Sequence, residues 1–205
     1  MTKSEDLLSF IKENGGTIRT KDVVAAGFRK ELLRELMDSG KLERETRGVY
    51  ALPDRFVDTY YLLQQRCPKG VFSYGTALFF HDLSDRTPNV LHLTLPQGYG
   101  AGFLKKEFPN VHFHYVYPEF LELGAEQVKT PSGHMVRAYN KERCICDLLK
   151  AKRCKKRGVD SQIFAGALNG YFQSKNKDLL KLSKYAAALG VEAELRTYTE
   201  VFLPW

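Results

Sequence analysis

Residues 28–52 read FRKELLRELMDSGKLERETRGVYAL, and this stretch decides the fold of the first part of the chain. Its apolar residues first recur at helical spacing, which predicts one helix from Arg29 to Ser39 that ends at Gly40. The spacing of the apolar residues then shortens toward every second position. That change predicts a hairpin with strands over 42–44 and 49–52, in which Gly48 supplies the positive φ of a tight turn. The helical stripe consists of Leu32, Leu33, Leu36 and Met37.

The residues before this stretch predict two more helices and a short strand. Apolar spacing indicates a helix over 4–13 that ends at Asn14-Gly15-Gly16, and an extended piece follows over 17–19. Thr20 is then expected to cap a helix that ends at Gly27. Helix, strand, helix, turn, helix and hairpin is the order of a winged helix-turn-helix, so we assign residues 1–55 to a DNA-binding domain. A connecting helix and linker is predicted over 56–70.

Residues 71–205 are predicted to form a mixed C-terminal domain. Period-two segments indicate about four strands, over 90–96, 111–117, 126–130 and 134–139. A helix capped by Ser73 precedes them, and later helices begin near Asn140 or cover about 160–174, 178–189 and 191–202. Strands followed by helices are typical of an α+β fold.

The composition is that of a soluble globular protein. The 205 residues are 43% hydrophobic and 27% charged. No apolar run approaches the ~20 residues that span a bilayer, and the N-terminus lacks the apolar core of a signal peptide, so we expect a cytoplasmic protein with no membrane partner. Cys67, Cys144, Cys146 and Cys154 form no zinc-type spacing. They are expected to be small apolar core residues in a reducing compartment.

The net charge of +7 favours a polyanionic partner. It is unevenly distributed, because residues 1–55 carry eleven basic and ten acidic side chains while residues 56–205 carry twenty and fourteen. The sharpest basic feature is therefore downstream, in KAKRCKKR at 150–157, where six of eight residues are cationic. This run is either a second nucleic-acid or antitoxin surface or a solvated helix end. Its charged residues are Lys150, Lys152, Arg153, Lys155, Lys156 and Arg157.

The N-terminal cations have the placement of DNA contacts. In a helix-turn-helix the second helix enters the major groove, where arginine and lysine pair with guanine, and a wing reaches the backbone. Glu31, Glu35 and Asp38 share the exposed face, so ordinary pairing on a helix surface is the alternative interpretation. The predicted contacts are Arg19, Lys21, Arg29, Lys30, Arg34, Arg44 and Arg47.

The sequence offers little that indicates catalysis. The glycine-rich segment PQGYGAG at 96–102 fits no phosphate-binding pattern and is expected to be a surface loop. His112 and His114 share a strand face, and partly buried sheet histidines are favoured over a metal site. We therefore predict no catalytic residue, no metal and no cofactor. The alternative is a nuclease-like enzyme acting on DNA or RNA, with a winged-helix targeting domain and a site built from Asp82, Asp85, Arg86 and strand histidines. A weaker one is a protein-interaction adaptor.

Several segments together resemble the AbiEi-type antitoxins of bacterial abortive-infection systems. FSYGTALFFHDLSDRTPNVLHLTLPQGY (72–99), TPSGHMVRAYNKERCICDLLK (130–150) and LGVEAELRTYTEVF (189–202) are similar to their C-terminal domain. Residues 15–52 are similar to their N-terminal winged helix-turn-helix. The most specific parts are HDLSDR and RAYNKERCICDLL.

The resemblance implies a bifunctional protein. Its N-terminal domain would repress its own operon by binding inverted repeats in the promoter. Its C-terminal domain would counteract a nucleotidyltransferase-like toxin in the type IV manner, without a stable complex, in abortive phage infection. We expect the residues that carry antitoxicity to be exposed charges at loops and helix starts, which are not needed to fill a core. They are Asp82, Asp85, Arg86, Lys141 and Arg143.

Overall fold

The computed structural model describes residues 3–53, 58–154 and 160–202. The chain divides into two compact units, Met1–Pro68 and Lys69–Trp205. Both contain helices and a sheet, which confirms the predicted α+β class. Across the described ranges, none of the helices combines the length and the apolar character that a bilayer span requires.

The N-terminal unit packs its helices beside a small antiparallel sheet with strand order β1-β3-β2. Its core is built from eight buried aliphatic side chains, including the predicted Leu32, Leu33 and Leu36. The elements are α1 (Lys3–Glu13), β1 (Thr17–Arg19), α2 (Thr20–Ala25), α3 (Glu31–Asp38), β2 (Glu43–Thr46), β3 (Val49–Ala51) and α4 (Thr59–Arg66).

Local boundaries in this unit differ from the predicted ones at three points. Thr20 is the first helical residue of α2 rather than its cap, and no side chain among the described residues caps that end. Helix α3 starts at Glu31, which leaves Arg29 in the preceding turn. Strand β2 extends to Thr46 through an irregularity after Arg44, so the hairpin turn shortens to two residues, with Gly48 at φ +77°. A bulge of this kind adds a residue to one strand, which period-two spacing does not reveal.

The C-terminal unit is organised around a five-stranded mixed sheet with order β6-β5-β4-β8-β7. Strands β5 and β6 pair in parallel, as do β4 and β8, whereas β4–β5 and β7–β8 are antiparallel. The strands are β4 (Val71–Phe72), β5 (Leu91–Pro96), β6 (Val111–Val116), β7 (Ala125–Lys129) and β8 (Met135–Tyr139). Four of these strands were predicted. The additional strand, β4, has only two residues, too few to show the alternation of apolar and polar residues from which strands are predicted.

Helices lie between and after these strands. They are α5 (Tyr74–Phe80), α6 (Gly102–Glu107), α7 (Pro118–Leu121), α8 (Lys141–Arg153), α9 (Ser161–Gln173), α10 (Leu179–Leu189) and α11 (Glu192–Phe202). Short helices α6 and α7 were not predicted, and α6 begins at the end of the glycine-rich segment assigned to a loop. Side-chain caps explain the later boundaries, because Asn140, Asp160 and Asp178 accept backbone N–H groups of α8, α9 and α10.

Helix α8 is the centre of this unit, since nine of its thirteen residues are buried. Cys144 and Cys146 belong to that buried set, and burial raises the pKa of the Cys146 thiol to about 12. Cys67 is buried as predicted, but Cys154 is exposed. The assignment of Cys154 to the core was wrong because that residue follows the last turn of α8, beyond the buried part of the helix.

Candidate nucleic-acid interface

Helix α3 has a buried leucine face and an exposed charged face. Leu32, Leu33 and Leu36 are 2–3% exposed, which fixes the helix rotation and turns Arg34 outward. The Arg34 side chain is 85% exposed, and its Nε lies 3.8 Å from the Asp38 carboxylate. An exposed pair of this length holds the guanidinium only weakly. Arg34 can therefore exchange Asp38 for an external anion or a base edge.

The turn before α3 carries two further exposed cations. Gly27, at φ +84°, lies two residues after the end of α2, and Arg29 and Lys30 follow it before the first residue of α3. Lys30 is the N-cap residue of that helix. Arg29 and Lys30 thus lie just before α3 and Arg34 lies in its N-terminal half, at the end that a recognition helix presents to base edges.

The hairpin and α2 add three exposed cations to the same unit. Arg47 lies in the two-residue turn and Arg44 on β2, where its Nε donates to the Thr46 carbonyl at 3.4 Å. Lys21 is exposed in the first turn of α2. A backbone hydrogen bond of 3.0 Å from Thr20 N to Gly48 O joins the start of α2 to the hairpin turn. Lys21 and Arg47 therefore belong to neighbouring segments.

Arg19 differs from the other predicted DNA contacts because its guanidinium is already engaged. It forms a two-point ion pair with Asp22, and Nη1 donates to Gln65 Oε1 of α4 at 2.8 Å. The Asp22 hydrogen bond raises the pKa of Arg19. The side chain is only 28% exposed. Through these contacts Arg19 links β1, α2 and α4 within the N-terminal unit.

The described part of the basic run is partly engaged with later helices. Lys152 Nζ donates to Tyr198 Oη at 2.6 Å and lies 4.4 Å from the centre of the Phe164 ring. Arg153 donates to the Gly190 carbonyl and lies 3.4 Å from Glu194. Both side chains therefore help to dock the end of α8. Lys150 is exposed, and Lys155, Lys156 and Arg157 lie outside the described residues.

Three of the predicted antitoxicity residues meet in one place. Asp82, Asp85 and Arg86 are exposed in the segment after α5, and they line a cavity of about 410 Å³. Arg86 donates to Gln162 Oε1 at 2.7 Å and lies 3.4 Å from Asp160. Asp82 has φ +57°, a conformation that few residues other than glycine adopt. The segment is therefore a charged loop that Arg86 connects to the start of α9.

Arg143 was predicted to be an exposed residue at a helix start, and the prediction of exposure is wrong. Its side chain is 1% exposed. Nε donates to Asp147 at 3.0 Å, while Nη1 donates to the carbonyls of Phe120 and Leu123, both at 2.8 Å. Burial is the largest single influence and would lower the pKa of Arg143, but attraction to Asp147 and Tyr139 and the hydrogen bond to Asp147 together outweigh it, so the pKa is raised. Neighbouring Lys141 is half-buried.

The strand histidines form a cluster that the sequence did not predict. Parallel pairing sets His92 of β5 opposite His112 of β6, and His92 Nδ1 lies 2.9 Å from His114 Nε2. They line a second cavity, and its described lining does not include Asp82, Asp85 or Arg86. Asp82, Asp85 and Arg86 therefore line a different described cavity from the histidines. No described group of three or more histidine, cysteine or acidic side chains has a geometry that could hold a metal ion.

Comparison with known proteins supports a regulatory assignment for the N-terminal unit. Residues 5–53 match the family described as "Transcriptional regulator, AbiEi antitoxin". No curated protein matches the chain. Among solved structures, the crystal structure of the RV2827C protein from Mycobacterium tuberculosis is similar at 14% identity and a TM-score of 0.48, covering 97% of this chain and 80% of that one. Over residues 5–53 the match confirms the resemblance to the AbiEi antitoxin family of transcriptional regulators, and the C-terminal segments 72–99, 130–150 and 189–202 lie outside it.

Proposed function

We propose that this protein represses transcription of its own operon through the N-terminal unit. Support comes from the exposed cations at the start of α3 and on the hairpin, together with the family match over residues 5–53. Arg29, Lys30 and Arg34 would enter the major groove, and Arg44 and Arg47 would contact the backbone or minor groove. Lys21 would contact a phosphate near the start of α2. The operator would be an inverted repeat of double-stranded DNA in the promoter.

Single-residue variants separate base reading from phosphate contact. Arg34→Ala should relax discrimination at one base pair, since an arginine–guanine pair is worth about 1–3 kcal/mol. Arg47→Ala should instead weaken binding to all sequences alike and lower the salt slope by about one unit. The measurement is fluorescence anisotropy with DNA from upstream of the gene, over a range of salt concentrations.

Lys12→Ala is the matched control, because Lys12 is an exposed cation of the same unit that lies on α1, outside the proposed interface. It should change affinity less than either variant. Equal losses for all three would mean that only net charge matters, and unchanged affinity in the Arg34 and Arg47 variants would refute the interface.

The second part of the proposal gives the C-terminal unit the antitoxin role. The functional partner would be a nucleotidyltransferase-like toxin, counteracted without a stable complex and without a catalytic step or cofactor, in abortive phage infection. The exposed loop of Asp82, Asp85 and Arg86 is the surface that we assign to this role, together with the half-buried Lys141 at the first position of α8. Arg143 is omitted because it is buried.

Growth rescue under toxin expression tests this assignment. A fragment covering Lys69–Trp205, the second compact unit, should rescue growth but should not repress a promoter reporter. Asp85→Ala should reduce rescue, while Glu200→Ala, which removes an exposed acid from α11, should not. A folded fragment that gives no protection would contradict the separation of the two roles.

A further inference from the structure

The exposed face of α3 carries three acidic side chains beside Arg34. They are Glu31, Glu35 and Asp38, and all three are exposed. A carboxylate on a helix that approaches DNA is repelled by the phosphate backbone, so it weakens binding unless it has a partner of its own. The contacts of each acid therefore decide what it can do in a DNA complex.

Two of the three acids are engaged within the N-terminal unit. Glu35 Oε2 accepts a hydrogen bond of 2.8 Å from Ser4 Oγ, which turns this side chain toward α1. Asp38 is the last residue of α3, and its carboxylate lies 3.8 Å from Nε of Arg34. Surface pairing inside the protein accounts for both side chains.

Glu31 differs, because its carboxylate makes no hydrogen bond or ion pair with any residue that the structure describes. Lys30 precedes it and Arg34 follows one turn later, but Arg34 pairs with Asp38 instead. Glu31 is the first residue of α3, at the end that a recognition helix presents to base edges. It therefore places an available hydrogen-bond acceptor where bases are read.

The chemistry of the major groove restricts the partner of such an acceptor. An ionised carboxylate accepts hydrogen bonds and donates none. Guanine and thymine present acceptors in the major groove, and adenine presents an acceptor next to its amino group, so all three repel a carboxylate at close range. Cytosine presents the N4 amino donor alone. Cytosine is therefore the base that a carboxylate pairs with best.

The spacing of Glu31 and Arg34 matches neighbouring base pairs. Three residues of an α-helix span about 4.5 Å along its axis, and successive base pairs are separated by about 3.4 Å. We propose that Glu31 is a specificity-determining residue that accepts a hydrogen bond from cytosine N4, in the base pair next to the guanine read by Arg34. The inference rests on the proposed DNA binding by α3 and names a second base of its target.

Selection of preferred sequences by the full-length protein tests the proposal. The probe is a pool of DNA duplexes with randomised positions, and the wild-type protein should select cytosine at one of them. Glu31→Ala should reduce the preference for cytosine over the other bases by about 5- to 150-fold. Glu31→Gln should replace cytosine by adenine, because glutamine pairs with N6 and N7 of adenine. Fluorescence anisotropy with duplexes that differ at that base pair measures the change.

Glu35→Gln is the matched control, since it removes the same charge from the same exposed face but from a side chain held by Ser4. This variant should keep the cytosine preference. Glu31 also lies where a negative charge stabilises a helix N-terminus. Loss of that effect alone would lower the melting temperature of the Glu31 variants and leave the selected base unchanged. Circular dichroism checks that each variant is folded.

The outcomes separate this inference from the proposed function. Loss of the cytosine preference in both Glu31 variants, with retention in Glu35→Gln, supports the assignment. A cytosine preference that persists in folded Glu31 variants, while Arg34→Ala still relaxes its own base pair, overturns the role of Glu31 and leaves DNA reading by α3 intact. Equal losses in the Glu31 and Glu35 variants would show an effect of net charge and also overturn it. A wild-type protein that selects no sequence would refute both proposals.

Discussion

Replacing Arg143 with methionine tests the most consequential buried contact in the C-terminal unit. The guanidinium holds Asp147 at 3.0 Å and two backbone carbonyls at 2.8 Å, and its central carbon lies 4.2 Å from the centre of the Tyr139 ring. Methionine fills a similar volume along the stem but supplies none of the three hydrogen bonds. The variant would therefore leave a carboxylate that is only 8% exposed without its arginine partner.

The expected loss of stability follows from that geometry. Removing one partner of a buried ion pair costs about 3–5 kcal/mol, because the remaining charge is still desolvated. The carbonyls of Phe120 and Leu123 lose donors as well, which acts in the same direction. We expect the free energy of unfolding of this unit to fall by at least about 3 kcal/mol. The double variant Arg143→Met/Asp147→Leu should lose less, because it leaves neither charge buried alone.

Arg137→Met is the matched control within the same unit. Arg137 also donates to a carboxylate, at 2.6 Å, but that carboxylate belongs to Glu122 and is 69% exposed. Removing such a surface pair should cost no more than about 1 kcal/mol. Urea denaturation followed by circular dichroism gives the free energies, and hydrogen exchange of α8 amides assigns the transition to this unit. If Arg143→Met shifts the midpoint no further than Arg137→Met, the reasoning about burial is refuted.

Three further predictions concern acid stability, a glycine and thiol exposure. In the folded protein the pKa of His92 is about 4, below its ordinary 6.5, so between pH 4 and 6.5 His92 is protonated mainly in the unfolded chain. Stability should fall as pH drops through that window, by at most about 3 kcal/mol before solvent screening reduces it, and His92→Gln should flatten the slope of denaturation midpoint against pH. Gly124→Ala should lower the free energy of unfolding by about 2–4 kcal/mol, because φ is +81° and an added Cβ would lie 2.7 Å from Cβ of Arg143. Gly133→Ala, at φ +87° with no described atom within 4 Å, should lower it by only about 1–2 kcal/mol. Equal losses of melting temperature in the two variants would contradict the close contact at Gly124. Cys154 should react quickly with a colorimetric disulfide reagent while the three buried cysteines wait for unfolding, and more than one fast thiol per chain would be inconsistent with this burial pattern.

The N-terminal elements could be predicted because their signals are local. The stripe of Leu32, Leu33 and Leu36 sets both the existence of α3 and the face that it buries, since neighbours three and four positions apart share one side of a helix. Gly48 similarly indicates the hairpin, because it takes the positive φ of its turn. In the C-terminal unit, cap residues such as Asn140 and Asp178 indicate where helices begin.

Which side chains of the C-terminal unit come together could be learned only from the tertiary structure. His92 and His112 are twenty positions apart, and only the parallel register of β5 and β6 brings them together. No period within either strand encodes that register, because pairing depends on which strands become neighbours in the sheet. The burial of Arg143 was likewise not predictable, because it too depends on residues that are distant in the chain. A buried arginine requires acceptors, and two of its acceptors are carbonyls of Phe120 and Leu123, about twenty residues away in the chain, which the folded unit places beside α8.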